Sequence, residues 1–560
     1  MHSSHPADTT SKPRRGHGSG RNWLLFSGMA ALLVTLPILG LALEALKGSS
    51  GLWAHLLSTI LPVAMDDTVI LLAGVGIVTA VIGTTTAWLV TAYEFPGRRL
   101  LEWALLLPLA VPTYIIAYAY LDILHPIGSV QGAIRWVLGY ESPRQFRLPD
   151  IRSMSGCILL LGFVLYPYVY IPTRAMFLTQ SGNLLDAART LGVSRRAVFW
   201  RVALPLARPA VAIGVALALM ETLNDVGAAE FLGVRTMTVS IYTTWITRTD
   251  LPGASQIALA LLLIVVALVG IERWARRKQR YATDARRSRG FSPQPVTPLP
   301  GLLLLGAGFL PVLLGFVAPA IYLTTEAWKR YRFAGMSSRI VDEAVNTIVI
   351  ATVATVVTIL LGLVVAYAAR IRPGNTAAAL LRFSSMGYAA PGTVVAIGVL
   401  IVLAGFDRFI DRTALDWFGV STGLLFMGSG AAVVYALTVR FLAISAGGIE
   451  AGLSRIPMSL DHASRTLGQS VSGTFRHVHL PLSKTAISAA ALLVFVDCVK
   501  ELPATLLLRP LNVETFATHL YGEAARGTYE EAAIAALAIV AIAILPVLLL
   551  SRVGSTRDRA

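Results

Sequence analysis

Ionisable side chains interrupt an apolar stretch of the sequence, VFVDCVKELPATLLLRP, at residues 494–510. Asp497 stands three residues before Lys500 and four before Glu501, so a helix would carry all three on one face. Charges within a membrane-spanning helix are costly, and they usually face a partner, a cavity or a pathway. The stretch therefore predicts one of two arrangements. Either Asp497 and Lys500 form a structural ion pair with Glu501 at an outer helix end, or the three residues line a path for a solute.

Similar polar residues end a comparable apolar run in the first part of the chain. A shift of 276 residues places Asp225 on Glu501, and Glu221 precedes Asp225 by one helical turn. Tyr242 and Tyr521 follow the two groups at short distances. The candidate path residues are Glu221, Asn224, Asp225, Glu230, Tyr242, Asp497, Lys500, Glu501, Arg509 and Tyr521.

The elements that must position these residues are membrane-spanning helices. The 560 residues are 55% hydrophobic and only 14% charged, a balance that is rare in soluble domains. Segments 23–43 and 69–93 contain no charge, and each exceeds the roughly 20 residues that cross a bilayer. We predict an all-α polytopic membrane protein with about twelve spans. They are 23–43, 67–92, 100–123, 154–173, 204–224, 255–271, 301–325, 342–369, 380–404, 422–443, 481–507 and 530–550.

The positive charge is distributed as in a membrane protein rather than in a nucleic-acid-binding protein. The net charge is +16, but Lys and Arg cluster in alternate connections, which predicts that these connections and both termini are cytoplasmic. A basic, proline-rich segment divides the chain into two sets of six spans. The predicted units are an N-terminal tail (1–22), a first half (23–272), a linker (273–300), a second half (301–551) and a C-terminal tail (552–560).

The two halves repeat each other. LLDAARTLGVSRRAVFWRVALPLARPAV at 184–211 matches LDHASRTLGQSVSGTFRHVHLPLSKTAI at 460–487, with the same 276-residue shift. That shift also places Asp66 on Asp342. Each copy predicts a short helix, a glycine turn, a second helix and a Leu-Pro pair at the start of a span. Internal repeats of this kind are common in transporter folds.

The repeated loops resemble the "EAA" coupling motif of binding-protein-dependent ABC importer permeases. The matching positions are Asp186, Ala187, Ala188, Gly192, Leu204 and Pro205 in the first copy, and His462, Ala463, Ser464, Gly468, Leu480 and Pro481 in the second. Both copies depart from the family's leading Glu, and the departure is conservative only at Asp186. The resemblance implies a type I permease fold in the bacterial inner membrane, in which each loop docks on one of two cytoplasmic ATPase subunits.

Residues 497–521 and 220–245 resemble the ferric-iron branch of these permeases, although similar permeases import thiamine or phosphonates. Fe(III) is a hard cation, so carboxylates and tyrosines could serve as its ligands. No G-x-x-x-x-G-K-[ST] loop occurs, so we expect a non-enzymatic chain that binds no cofactor and relies on ATP used by separate subunits.

The expected partners are two ATPase copies, a periplasmic or lipoprotein solute-binding protein and membrane lipid, without nucleic acid. No residue set predicts a resident metal site, because the paired Cys/His spacing of zinc sites is absent. An ion-gradient-driven secondary transporter is a more distant alternative, and it leaves the paired loops unexplained.

Overall fold

The protein is helical throughout the part of the chain that the structure describes. The computed structural model describes residues 19–48, 54, 56–179, 195–277, 293–335 and 337–555. The two strands there, β1 (Tyr93–Glu94) and β2 (Gln294–Pro295), form a parallel pair of two residues each. The predicted fold class is confirmed.

Among the residues that the structure describes, the first half contains twelve α-helices and the second half thirteen. Those of the first half are α1 (Ser19–Leu46), α2 (Leu61–Ala92), α3 (Arg98–Ala104), α4 (Thr113–Ile123), α5 (Ser129–Leu138), α6 (Met154–Leu165), α7 (Pro167–Thr179), α8 (Arg195–Val198), α9 (Leu204–Asn224), α10 (Gly227–Phe231), α11 (Met237–Ile246) and α12 (Leu251–Arg277). Single π-helical turns at Leu56–Ile60 and Phe199–Ala203 lead into α2 and α9, and a 3₁₀ turn at Leu107–Ala110 follows α3.

The thirteen described helices of the second half are α13 (Pro298–Val312), α14 (Ala318–Ala334), α15 (Ser338–Ile371), α16 (Asn375–Ser384), α17 (Gly392–Phe418), α18 (Ala431–Ser454), α19 (Met458–Thr466), α20 (Val471–Thr474), α21 (Leu480–Leu482), α22 (Lys484–Lys500), α23 (Pro503–Leu508), α24 (Phe516–Arg526) and α25 (Tyr529–Ser555). π-Helical turns at Leu313–Val317 and Phe475–His479 and a 3₁₀ turn at Met386–Tyr388 join them.

Eleven candidate membrane spans occur among the described residues, provided that each sharply bent helix pair counts as one span. Eight are long apolar helices, and three are pairs bent by 93°, 43° and 73°. α25 lies where the twelfth span is predicted, at 530–550. Proline explains two of the bends, since Pro112 precedes α4 and Pro167 begins α7.

Two predicted spans, 380–404 and 422–443, have the wrong bounds. The first breaks at Pro391 and continues as α17 to Phe418, and the next helix, α18, begins only at Ala431. The apolar residues between them form a loop, because Asp407 accepts hydrogen bonds from the backbone N–H groups of Phe426 and Met427. Hydropathy alone cannot distinguish such a loop from a span.

The halves exchange their first helices. α1 packs on α12 of its own half and on α15, α16 and α17 of the second half. In return, α13 and α14 pack on α25 and on α2, α3 and α4 of the first half. Tyrosine hydroxyls hold both exchanges: Tyr435 donates to the carbonyl oxygen of Leu33 at 2.8 Å, and Tyr120 donates to that of Leu314 at 2.6 Å. The halves are therefore interlocked.

Matching hydrogen bonds also show the repeat, but the shift between equivalent residues is not the same in every region. The Thr68 hydroxyl oxygen accepts from the Met237 N–H at 3.0 Å, and that of Thr347 accepts from the Phe516 N–H at 2.9 Å. These equivalents are 279 residues apart, so the predicted match of Asp66 with Asp342 is wrong in this region. The 276-residue register applies again at Asp225 and Glu501.

Candidate functional site

Two helix breaks, at Asp225 and Glu501, form the centre of the site. α9 ends at Asn224 and α22 ends at Lys500, and the next residue in each case has an extended backbone before a short helix. The Asp225 carboxylate accepts a hydrogen bond from the Ala228 N–H at 2.9 Å. Glu501 accepts from the Ala504 N–H at 2.8 Å. Each carboxylate therefore caps the short helix that follows it, α10 or α23.

Glu501 makes further contacts that have no counterpart at Asp225. It accepts from the N–H of Thr505 at 2.9 Å, and Nη1 of Arg440 donates to it at 2.6 Å. Arg440 and Glu501 are only 7% and 5% exposed, so this is a buried ion pair rather than an exposed helix end. Sequence reasoning missed Arg440, although it is the only charged residue between 431 and 449.

Asp225 has no equivalent arginine. The position 276 residues before Arg440 is Val164, which also lines the site. One oxygen of Asp225, Oδ2, is buried without a hydrogen bond of good geometry, although Thr113 lies beside the carboxylate. The repeated helix break therefore has a neutralised acid in the second half and a less compensated acid in the first.

Hydrogen bonds join each break to the opposite half. The side-chain oxygen of Asn224 accepts from the Gly392 N–H at 2.7 Å, at the start of α17. The Tyr114 hydroxyl, on α4, donates to the carbonyl oxygen of Lys500 at 3.3 Å. A Cβ atom at Gly392 would lie 2.9 Å from both Arg440 Nη1 and Glu501 Oε1, so a larger residue here would displace the ion pair.

A cavity of about 130 Å³ lies among these breaks, between the halves. Its ionisable lining residues are four carboxylates, two cations and three phenols: Glu221, Asp225, Asp497, Glu501, Arg440, Lys500, Tyr114, Tyr168 and Tyr388. Asp497 and Lys500 form an ion pair with 2.8 Å between Oδ1 and Nζ, and both line the cavity. The predicted ion pair is therefore present, Glu501 is not at an exposed helix end, and a path for a solute through this cavity stays a prediction.

The structure divides the predicted path residues into two groups. Six of them line the central cavity: Glu221, Asn224, Asp225, Asp497, Lys500 and Glu501. The other four lie outside it, where the Tyr521 hydroxyl donates to Glu230 at 2.5 Å and packs beside Tyr242 with ring centroids 6.2 Å apart. Arg509 pairs with Glu514 at 2.8 Å. Tyr242, Arg509 and Tyr521 line a second cavity of about 460 Å³.

His519 also lines this second cavity, which we call the outer cavity, and it lies outside the membrane-spanning helices. Its Nδ1 lies 2.9 Å from Oε1 of Glu343, which is buried. Burial alone would lower the pKa of His519, but the hydrogen bond and charge of Glu343, with Glu523 and Glu514, raise it above its usual value. Among the described residues, no three His, Cys, Asp or Glu side chains come together as a metal site.

The second copy of the repeated loop forms the predicted helix, turn and helix. α19 contains His462, Ala463 and Ser464, and Gly468 follows it with φ +81°, a left-handed backbone that favours glycine. Leu480 and Pro481 begin α21 as predicted. His462 and Ala463 are exposed, whereas the Ser464 hydroxyl is buried 2.9 Å from that of Thr474.

The acid that anchors this loop is Asp461, one residue before the position assigned by the motif. Arg370 donates to it at 2.5 Å, and Nε2 of His479 lies 3.0 Å from its other oxygen. Arg370 also donates to the carbonyl oxygens of Leu453 and Ile456. Burial would raise the pKa of Asp461, but the Arg370 hydrogen bond and the His479 charge lower it below its usual value. The first copy has Leu185 at the position equivalent to Asp461, so the repeat did not indicate an anchoring acid there.

The first copy is described only in part. Asp186, Ala187, Ala188 and Gly192 lie outside the described residues. Leu204 and Pro205 begin α9, with Pro205 in the first turn, where a missing N–H costs no hydrogen bond.

Comparison with known proteins gives a family match in both halves. Residues 79–281 and 358–555 match the family described as binding-protein-dependent transport system inner membrane component. The chain is 22% identical over 491 residues to the Fe(3+)-transport system permease protein FbpB 2 of Haemophilus influenzae, which covers 87% of this chain and 89% of that protein.

Other relatives match over about a third of this chain. The putative 2-aminoethylphosphonate transport system permease protein PhnU of Salmonella paratyphi A is 29% identical over 197 residues, 35% of this chain and 67% of its own. The molybdenum transport system permease protein ModB of Escherichia coli K12 is 29% identical over 207 residues, 35% of this chain and 86% of its own.

Replacing Arg440 by Met should lower the free energy of unfolding by about 3–5 kcal/mol, because it leaves the buried Glu501 carboxylate without its cation. The double variant Arg440→Met, Glu501→Gln should recover much of that loss, since no uncompensated charge remains. Thermal unfolding of the detergent-purified chain measures the stability of both variants. A single variant as stable as the wild type would show that the pair contributes nothing.

The stabilisation by His519 should depend on pH. A raised pKa in the folded state means that the contribution is complete below the unfolded value of about 6.5 and is lost as the pH rises through the folded value. The wild type should therefore exceed His519→Gln in melting temperature most clearly in mildly acidic buffer, with a gap that narrows in alkaline buffer. A gap that does not change with pH would contradict the pairing with Glu343.

Proposed function

The chain belongs to the family of binding-protein-dependent transport system inner membrane components, as the permease of an ABC importer, and we propose that its cargo is ferric iron. The observation that carries this proposal is the central cavity. Its oxygen donors are carboxylates and phenols, and its four carboxylates outnumber its two cations. Both cations are already paired, Arg440 with Glu501 and Lys500 with Asp497. Such a lining favours a hard cation over an oxyanion.

The length of the sequence match to the Fe(3+) permease also favours ferric iron as the cargo. The Fe(3+) permease of Haemophilus influenzae matches nearly the whole chain, including both halves in one polypeptide. The permeases for 2-aminoethylphosphonate and molybdenum match only about a third of it. A phosphonate is an anion, which the excess of carboxylates disfavours. Thiamine is an organic cation, so it remains the main alternative.

The ATPase subunits that drive transport would dock on the coupling loops. α19 presents exposed apolar side chains, Met458 and Leu460, and Leu467 follows it at 81% exposure. Its buried side is held by Asp461 and Ser464, so the exposed side is a rigid surface suited to a cleft on a partner. We propose that two ATPase copies bind the two loops and use ATP, and that this chain binds no cofactor itself.

The N-terminal end of α1 lies on the same side as the coupling loop. The Trp23 ring is 5.4 Å from that of Phe475 and 4.8 Å from that of Tyr367. These contacts support cytoplasmic termini in a bacterial inner membrane. The breaks at Asn224 and Lys500 then lie at the far ends of α9 and α22, toward the side where a solute-binding protein would deliver its cargo.

The cargo can be tested in vesicles that contain the chain, its ATPase and its binding protein. We expect ATP-dependent uptake of radiolabelled Fe(III), with no uptake of thiamine or 2-aminoethylphosphonate. The variant Asp225→Asn should reduce iron uptake about tenfold, because it removes a cavity carboxylate that forms no ion pair with any described residue. Uptake of thiamine or phosphonate in place of iron would refute the ferric assignment while leaving the importer class intact.

The coupling role is tested at the turn after α19. Gly468→Val should strain the left-handed backbone, and it should lower uptake per ATP hydrolysed while the chain stays folded. Gly468→Asn is the matched control, because asparagine tolerates this conformation, and it should retain coupling. Equal coupling ratios in the two variants would argue against a coupling function for this loop.

A further inference from the structure

Glu230, Tyr242 and Tyr521 form a cluster between the halves, outside the central cavity. Glu230 is on α10 and Tyr242 on α11 of the first half, whereas Tyr521 is on α24 of the second. The matching bonds at Thr68 and Thr347 set a 279-residue register here, which makes Tyr242 and Tyr521 equivalent residues. The two phenols therefore meet where the halves face each other, close to the axis that relates the repeats.

The cluster is made of oxygen donors. The Tyr521 hydroxyl donates to Oε2 of Glu230 at 2.5 Å, and the Tyr242 hydroxyl interacts with that of Tyr521. Phe231 stacks on the Tyr521 ring with centroids 5.5 Å apart, which fixes the orientation of the phenol.

The negative charge of the cluster has no paired cation. In the part of the chain that the structure describes, Glu230 makes no ion pair, and Arg509, the nearby arginine, is paired with Glu514. A half-buried carboxylate with only a phenol as its partner is unusual in a structural role, because the charge gains little compensation. It is the arrangement expected where a cation binds transiently.

The oxygens of Glu230 and Tyr521 are in direct contact, so one small hard cation could bind both of them. Carboxylate and phenolate are hard ligands that suit Fe(III).

We propose that Glu230, Tyr242 and Tyr521 form an outer site that receives Fe(III) before it enters the central cavity. The inference rests on the proposed cargo and adds a specific binding site to it. On binding, each phenol that becomes a ligand releases its proton to solvent and forms an oxygen–iron bond, and the iron remains Fe(III). The remaining ligands would come from water or from the chelator that delivers the ion.

The position of the cluster fits a receiving step. It adjoins the outer cavity of about 460 Å³, which Tyr242 and Tyr521 line. Tyr521 belongs to the same apolar core cluster as Leu502 and Tyr114, which line the central cavity. One apolar core therefore extends from the outer cluster to the central cavity.

The test is a titration of the detergent-purified full-length chain with Fe(III)–citrate, followed by visible absorption. Phenolate ligands to Fe(III) produce a charge-transfer band, which we expect in the wild type. Tyr521→Phe should abolish the band and Tyr242→Phe should weaken it, while both keep the aromatic packing. Glu230→Gln should weaken iron binding at least about tenfold, the loss seen when even a supporting residue of a metal site is removed.

The matched control is Tyr435→Phe, whose hydroxyl bonds Leu33 far from the cluster and which should keep the full band. A wild type without the band, or a band that survives in all the cluster variants, would overturn the site. Vesicle uptake separates this result from the cargo. Unchanged iron uptake in Tyr521→Phe would refute the receiving role of the outer site and leave the cargo intact. No iron uptake by the wild-type complex would refute the cargo and, with it, the receiving role.

Discussion

The capping of broken helices by buried carboxylates is the interaction on which the rest of this structure depends. Within a membrane, a backbone N–H released by a helix break must find a partner inside the protein. Glu501 bonds the N–H groups of Ala504 and Thr505 and takes Arg440 as its counter-ion. Glu501 thereby satisfies backbone groups released where α22 ends, beside the polar cavity.

The same breaks join the two halves. Asn224 and Tyr114 each satisfy a backbone group of the opposite half, and the exchanged helices α1 and α13 enclose the assembly from outside. Any movement that opens the cavity must therefore rearrange bonds at the breaks. Their position at the ends of α9 and α22 links them mechanically to the loops at the other ends of these helices, where Asp461 fixes α19.

The two halves are alike in fold and unequal in chemistry. The register that relates Asp225 to Glu501 relates Val164 to Arg440, so only one of the two acids has a cation. A two-chain permease made of identical subunits could not have this difference. A chain with both halves in one polypeptide can carry an ion pair at one break and not at the other.

The membrane class, the repeat, the helix–turn–helix of the second loop and six of the cavity residues could be predicted from the sequence. Apolar runs, charge clusters and repeated sequence motifs are local patterns, and each depends on residues that are neighbours in the sequence. The partners of those residues could not be predicted. Arg440 is 61 positions from Glu501, Gly392 is 168 from Asn224, and Tyr521 is 291 from Glu230.

Local patterns gave two wrong predictions. The apolar residues between Phe418 and Ala431 form a loop rather than a span, and the acid that anchors the second loop is Asp461, one position before the motif's leading residue. The sequence by itself determined which residues are costly to bury in a membrane. Only the tertiary structure decided which of them are neutralised by a partner, because burial and pairing depend on helices that meet only in the folded protein.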